Sequence, residues 1–124
     1  MSVIREQDAV AHQLHGATFS SFVAPSSGSS ELCAWRLEVA PATTGVPHRV
    51  NREEVLLVLT GELTATVDGV GTVVRSGDVV FVPAGASFAL DNTSGAAATA
   101  WVTTTVGLEA LLADGSSISP PWVR

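Results

Sequence analysis

Between residues 18 and 106 the chain is a succession of short apolar runs rich in Val, Leu, Thr and Phe. Clusters of turn-forming residues interrupt them at 25–30, 41–45, 68–71 and 92–95. Runs of that length, punctuated at that spacing, predict strands in a sandwich or barrel. At 62–67 apolar Leu63, Ala65 and Val67 alternate with polar neighbours, and Asp68-Gly69 follows. This pattern predicts a hairpin with one face to solvent, closed by a tight turn. Along 33–39, Cys33, Trp35, Leu37 and Val39 alternate with Arg36 and Glu38, again giving an apolar and a charged face. Residues 55–59 and 79–82 are apolar throughout, the pattern of strands covered on both faces, and are expected to form the barrel's middle.

Helix is scarce. The spacing of Leu108, Leu111 and Leu112 predicts one or two amphipathic turns at 107–113. The tail at 114–124 contains Pro120-Pro121 and is expected to be extended, with Trp122 available to fold back onto the body or onto a second subunit. The chain of 124 residues fits a single domain over 1–124.

Composition narrows the functions open to such a barrel. Six basic residues, all Arg, against 12 acidic ones give a net charge of -6. That balance repels a polyphosphate backbone and argues against a nucleic-acid partner. No apolar run is long enough to span a bilayer, so no membrane partner is expected. The start of the chain lacks an apolar signal core, and the single cysteine, Cys33, forms no internal disulfide; both fit a cytoplasmic protein. With no Lys and no Tyr, a lysine Schiff base and a tyrosine acid are ruled out.

Two separated segments carry a recognisable pattern. In the first, His48, Glu54 and Gly61 stand with six residues between the last two. In the second, Gly77, Pro83, Gly85 and Asn92 follow the spacing G-x5-P-x-G-x6-N. Together, over 42–92, they resemble the two motifs of the cupin superfamily. The resemblance implies an all-β fold, a double-stranded β-helix or jelly-roll barrel, and a small cupin of this type is commonly a homodimer. Exposed sheet edges favour such pairing, with strands near the N-terminus or the Trp122 tail completing the partner's sheet. It also implies a divalent metal held by two His and a Glu of the first motif and one His of the second. Here the second His position is Val50 and the last is Phe88, while Ala42 replaces the usual first Gly. His48 and Glu54 remain, whereas catalytic metal sites generally draw on three protein ligands or more. No cofactor is therefore expected. A metal bound after all would fall to His48 and Glu54, with Cys33, His12 or His15 as further donors.

Strand parity puts His48 with Val50 on one face and Glu54 with Leu56 on another. With Phe81, Phe88 and Trp101 they outline an apolar pocket with a His/Glu polar anchor, the usual form of a small-molecule site. The leading expectation is a small-molecule binding barrel of this kind. An enzyme is the alternative: a metal-dependent oxygenase or isomerase, or a metal-free isomerase or epimerase in which Glu54 orients His48 as a base. The family's metal-free epimerases employ a Tyr, which this chain lacks. The plainest reading has His48 and Glu54 hydrogen-bonded to each other in a filled core. Arg49, Arg52 and Glu53 flank this region, as surface charges or as contacts for an anionic ligand.

Overall fold

The structure, a computed structural model, describes residues 3–124. In chain order the strands are β1 (Val10–Leu14), β2 (Ala17–Val23), β3 (Leu32–Val39), β4 (His48–Val50), β5 (Glu54–Thr60), β6 (Glu62–Val67), β7 (Val70–Arg75), β8 (Val79–Val82), β9 (Ser87–Asp91), β10 (Ala98–Thr105), β11 (Ala110–Leu111) and β12 (Ser117–Ile118). They form two six-stranded sheets, one in the order β1-β2-β3-β10-β5-β8 and the other β12-β11-β4-β9-β6-β7. Every pairing is antiparallel. The result is the all-β jelly-roll barrel that the turn spacing and motifs lead one to expect. Helix among the described residues is confined to the 3-10 turns Glu6–Asp8, Pro25–Ser27 and Pro121–Val123.

Period-two alternation decides what each strand buries. On β3 the core side holds Cys33, Trp35, Leu37 and Val39, and on β6 it holds Leu63 and Ala65. The Asp68-Gly69 turn has both φ angles positive, 48° and 81°, as a two-residue hairpin loop with the sheet's own twist requires. On β5 the buried set is Glu54, Leu56 and Val58, and on β8 it is Val80 and Val82. Here the expectation of strands covered on both faces fails, because Val55, Leu57, Leu59, Val79 and Phe81 are all exposed on the outside. Strands β5 and β8 lie at one side of their sheet, and no element among the described residues packs over that outer face.

The motif residues hold the two sheets in register. Asn92 is wholly buried. Its amide donates to the carbonyls of Val39 (3.1 Å) and Ala96 (2.9 Å), and its Oδ1 accepts from the backbone and hydroxyl of Ser94 at 3.0 and 2.7 Å. Paired backbone bonds with Thr43 complete the tie. Gly61 turns the chain from β5 into β6 at a φ of 77°, where a Cβ would stand 2.8 Å from the Ala98 Cα. Both the turn and the close approach require glycine.

The helix expected at 107–113 is not formed. Asn51 accepts from Glu109 N (2.6 Å) and donates to Gly107 O (3.1 Å), so the segment is held extended and ends in β11. Leu108, Ala110 and Leu112 then face inward with strand parity and Leu111 is exposed. The tail makes a short hairpin through β12 and folds back onto its own body. Trp122 stacks on Phe19 with ring centroids 3.6 Å apart and planes 7° from parallel. Its carbonyl accepts from Ser21 at 3.0 Å.

Candidate functional site

Between the two sheets lies a cavity of about 210 Å³. That exceeds the about 150 Å³ of an engineered apolar cavity that takes up benzene. One wall comes from the sheet of β2, β3, β10 and β5, with Phe19, Trp35, Val102, Leu56 and Glu54 in the lining. The facing wall comes from β4, β9 and β11, with His48, Val50, Phe88, Leu90 and Ala110. Trp122 and Pro120 of the folded-back tail close one side. The rings of Phe19, Trp35, Phe88 and Trp122 make it a largely apolar space with flat surfaces.

Glu54 is the exception in that wall. It stands at the start of β5, opposite Val82 of β8, so the parity that buries Leu56 and Val58 turns its carboxyl inward. Its exposure is 5%, and among the described residues no hydrogen bond or ion pair reaches its carboxylate. Burial without a compensating charge disfavours the ionised form and pushes its pKa up to about 7.

His48 lines the same cavity but does not pair with Glu54. Its Nδ1 lies 2.9 Å from the Val46 carbonyl, and its ring meets Phe88 edge-on at 5.9 Å between centroids. A carbonyl only accepts, so Nδ1 carries the proton and Nε2 is an acceptor in the neutral ring. The reading of a His48–Glu54 hydrogen bond in a filled core is thus replaced by two separately held polar groups on one cavity. Glu54 orienting His48 as a base likewise lacks the contact it needs.

Of the residues expected from the sequence, His48, Glu54, Val50, Leu56 and Phe88 all line the cavity. Phe81 and Trp101 do not, and both are corrections. Phe81 is opposite Val55 on the outside of the sheet, because Val80 and Val82 take the inward positions across from Leu56 and Glu54. Trp101 alternates with inward Ala100 and Val102 and packs on Phe22 outside, with ring centroids 5.3 Å apart. The apolar–polar alternation of β10 carried that signal, since Trp101 shares its parity with Thr99 and Thr103. The tryptophans at the cavity are Trp35 and Trp122. Trp35 was readable from the alternation of β3, whereas Trp122 arrives through a tail contact that no local pattern announces. The Trp35 indole N–H is buried with no acceptor in reach.

The remaining polar candidates sort differently. Arg49 donates to Gly85 O at 2.9 Å, and the Arg52 guanidinium lies against Gly107. Neither they nor Glu53 line the cavity. Cys33 is buried beside the Val123 carbonyl, and desolvation holds its thiol pKa above the ordinary value. His12 lies beside Trp122 with ring centroids 6.4 Å apart, and His15 reaches the cavity rim.

The family model described as cupin domain matches residues 35–105, more than half of the chain. The chain belongs to the cupin family. Its fold is similar to that of the polyketide cyclase RemF from Streptomyces resistomycificus, with a TM-score of 0.78 at 19% identity over 87% of this chain and 81% of that one. It is also similar to an RmlC-like cupin from Shewanella frigidimarina, with a TM-score of 0.73 at 20% identity over 85% and 90% of the two chains. A predicted oxalate decarboxylase from Thermotoga maritima aligns at a TM-score of 0.73 and 16% identity, over 83% and 97%. At such identities the likeness is one of fold. No curated protein matches the chain.

Cupins often hold a metal, and the donors at this cavity do not fit one. Val50 and Phe88, which stand where the motif resemblance implies two His ligands, offer no lone pair to a cation. Among the described residues no group of three or more His, Cys, Asp or Glu is placed to hold a metal ion. Two protein donors fall short of the usual set.

Proposed function

We propose that this cupin binds a flat, largely apolar small molecule carrying a carbonyl or phenolic oxygen, with Glu54 as its polar anchor in place of a metal. The unpartnered carboxyl of Glu54 in a ring-lined cavity carries this reading. A buried polar group left unpaired costs about 1–3 kcal/mol, so a ligand oxygen that supplies the missing hydrogen bond recovers that penalty on binding. Protonated, Glu54 donates to a carbonyl; ionised, it accepts from a phenol. The aromatic faces give shape selectivity, and apolar walls with few polar groups are the usual make-up of small-molecule sites. That the fold is also that of a protein described as a polyketide cyclase accords with an oxygenated ring compound as the ligand.

The presence on one cavity of Glu54 and of His48, whose Nδ1 is held by the Val46 carbonyl so that Nε2 is unengaged, favours a second reading, acid–base catalysis. A proton leaves the carbon next to a ligand carbonyl for His48 Nε2, while Glu54 gives its own proton to the carbonyl oxygen, yielding the enol. A carboxyl whose pKa is near 7 suits such a step at neutral pH.

Titration with 1-tetralone, followed by the fluorescence of Trp35 and Trp122, tests the binding reading. Saturable quenching is expected at pH 6, weakened roughly 5- to 150-fold in Glu54→Leu by loss of about 1–3 kcal/mol. Absence of saturation, or equal affinity in the variant, would sink it. The catalytic reading predicts exchange of the 1-tetralone α-hydrogens in deuterium oxide above the buffer rate, abolished in Glu54→Gln and in His48→Ala. Exchange at the buffer rate with the intact protein removes that reading and leaves binding standing.

A further inference from the structure

We infer that the ligand carries an alkyl chain on its ring, and that this chain leaves the cavity along a groove between Leu14 and Ile118. The inference rests on the reading of Glu54 as the anchor of an oxygenated ring and adds the far end of that ligand. Strand register defines the groove. On one sheet Val39 of β3 is opposite Ala17 of β2, and Ala17 is opposite Leu14 of β1. On the other, Val50 of β4 is opposite Ala110 of β11, and Ala110 is opposite Ile118 of β12. Residues directly opposite in antiparallel strands share a face, and all six side chains line the one cavity.

Both rows run outward in the same order. Val39 and Val50 are buried, Ala17 and Ala110 are half-buried, and Leu14 and Ile118 are 41% and 40% exposed. Strands β1 and β12 are the edges of their sheets, so each row passes from the interior to the rim over two strand spacings, about 10 Å. With alanine in the middle of each, neither row blocks the way out. The folded-back tail stops short of this path. Trp122 stacks on Phe19 and lies beside His12, which is opposite Phe19. It covers that row and leaves the next one, of Ala17 and Leu14, open.

The mouth is held in shape by its own bonds. The Gly16 carbonyl, in the turn between β1 and β2, accepts from Ala40 N at 3.0 Å, and Gly45 N donates to Asp91 Oδ1 at 2.7 Å. The Val46 carbonyl is the one that accepts from His48, and the Val46 side chain lines the same mouth. A preformed groove adds contact with a ligand at little ordering cost.

The chemistry of the mouth selects an alkyl chain. The rings of the cavity lie further in, whereas Leu14, Ala17, Val46, Ala110 and Ile118 are all aliphatic. The segments 13–17, 43–47 and 117–120 that carry the outer residues have His15 as their one ionisable side chain. Apolar attraction is non-directional and scales with the area covered, which suits a chain of methylene groups. Exposed apolar side chains gathered at a cavity rim mark a ligand groove, whereas the same residues scattered singly would not.

Calorimetric titration of the intact chain at pH 6 with 1-tetralone and with 6-butyl-1-tetralone tests the assignment, the butyl group being on the ring carbon remote from the carbonyl. Partial burial of its carbons should tighten binding roughly 10- to 100-fold. Leu14→Ser and Ile118→Ser, both at exposed positions, should each reduce that gain roughly threefold or more while 1-tetralone stays within about twofold of its parent affinity. Val73→Ser, exposed on β7, should change neither. A third probe needs no variant: 1-tetralone with a carboxylate in place of the butyl group should bind no tighter than 1-tetralone itself. Tighter binding of the carboxylate than of the butyl probe overturns the inference and gives the mouth to an anion beside His15. Binding of 1-tetralone with no gain from the butyl group, or a gain that survives both substitutions, overturns the groove and leaves the Glu54 reading standing. Failure of both probes to bind ends the two together.

Discussion

At Glu54 the decisive balance is between desolvation and the absence of any partner. Its pKa rises from an ordinary 4.5 to about 7, so between those values the folded chain holds a proton that the unfolded chain has released. Stability then falls as pH rises through that window and levels off above it. At about 1.4 kcal/mol per pKa unit the loss reaches up to about 3 kcal/mol. Replacing Glu54 by Gln removes the ionisation at nearly constant shape. Urea unfolding at pH 5 should find the variant within about 1 kcal/mol of the parent, and at pH 9 the variant should be the more stable by up to about 3 kcal/mol. Equal pH profiles for the two would mean that the carboxyl is solvated. The position of Glu54 was legible because the motif supplies it and strand parity turns it inward with Leu56. Its isolation was not, since His48 looks like its natural partner in sequence, whereas in the structure His48 Nδ1 meets the Val46 carbonyl at 2.9 Å and no hydrogen bond joins the two side chains. Phe81 was illegible for a simpler reason. A run of four apolar residues carries no polar marker from which inward and outward can be told apart, and only the pairing of Glu54 with Val82 sets its direction.

Elements in this barrel take their form from tertiary ties as much as from local pattern. The segment at 107–113 has leucines at helical spacing, yet Asn51 captures the backbone at Gly107 and Glu109 and draws it into a sheet. Helix propensity over so few residues is too weak to oppose such bonds. Likewise the tail was legible as extended, but its return to the body depends on Phe19 and Ser21, which lie a hundred residues away in sequence. The second motif, by contrast, was legible from its spacing, and its residues tie strands that are distant in sequence. Asn92 shows how: its side chain bolts the end of β3 to the turn between β9 and β10 through Val39, Ala96 and Ser94. Substituting Ala leaves those buried groups without partners, at about 1–3 kcal/mol for the unsatisfied set. Denaturant unfolding should record a loss of about 3 kcal/mol for Asn92→Ala. Asn92→Asp should do no better, since a carboxylate keeps the Ser94 contacts but faces the two carbonyls without a donor. A loss below about 0.5 kcal/mol would mean that the bolt does not bear on stability.

For the whole molecule, an internal cavity is a stability deficit that a ligand or a larger side chain can remove. Voids forfeit dispersion contacts on every wall they touch, and here the walls belong to both sheets and the tail, so filling the space tightens the barrel as a unit. Any molecule that binds only the folded chain adds about 2.7 kcal/mol at one hundred times its Kd. For a chain of 124 residues that corresponds to a rise in Tm of roughly 10 °C. Val50 is buried in the lining across from Leu56 and Trp35, and Val50→Phe directs a ring into the same space. The two devices compete. The variant should unfold within about 1–2 kcal/mol of the parent, since its ring gains contacts where overpacking would otherwise cost about 1–3 kcal/mol. It should also lose the rise in Tm that 1-tetralone gives the parent. A thermal shift that persists in full with Val50→Phe would locate the probe elsewhere, for which the cleft of about 260 Å³ between β7 and β8 offers a space of comparable size. Loss of the shift together with a stability penalty beyond about 3 kcal/mol would mean that the cavity walls are too rigid to accept a second ring, a property that also bounds the thickness of any ligand the barrel admits.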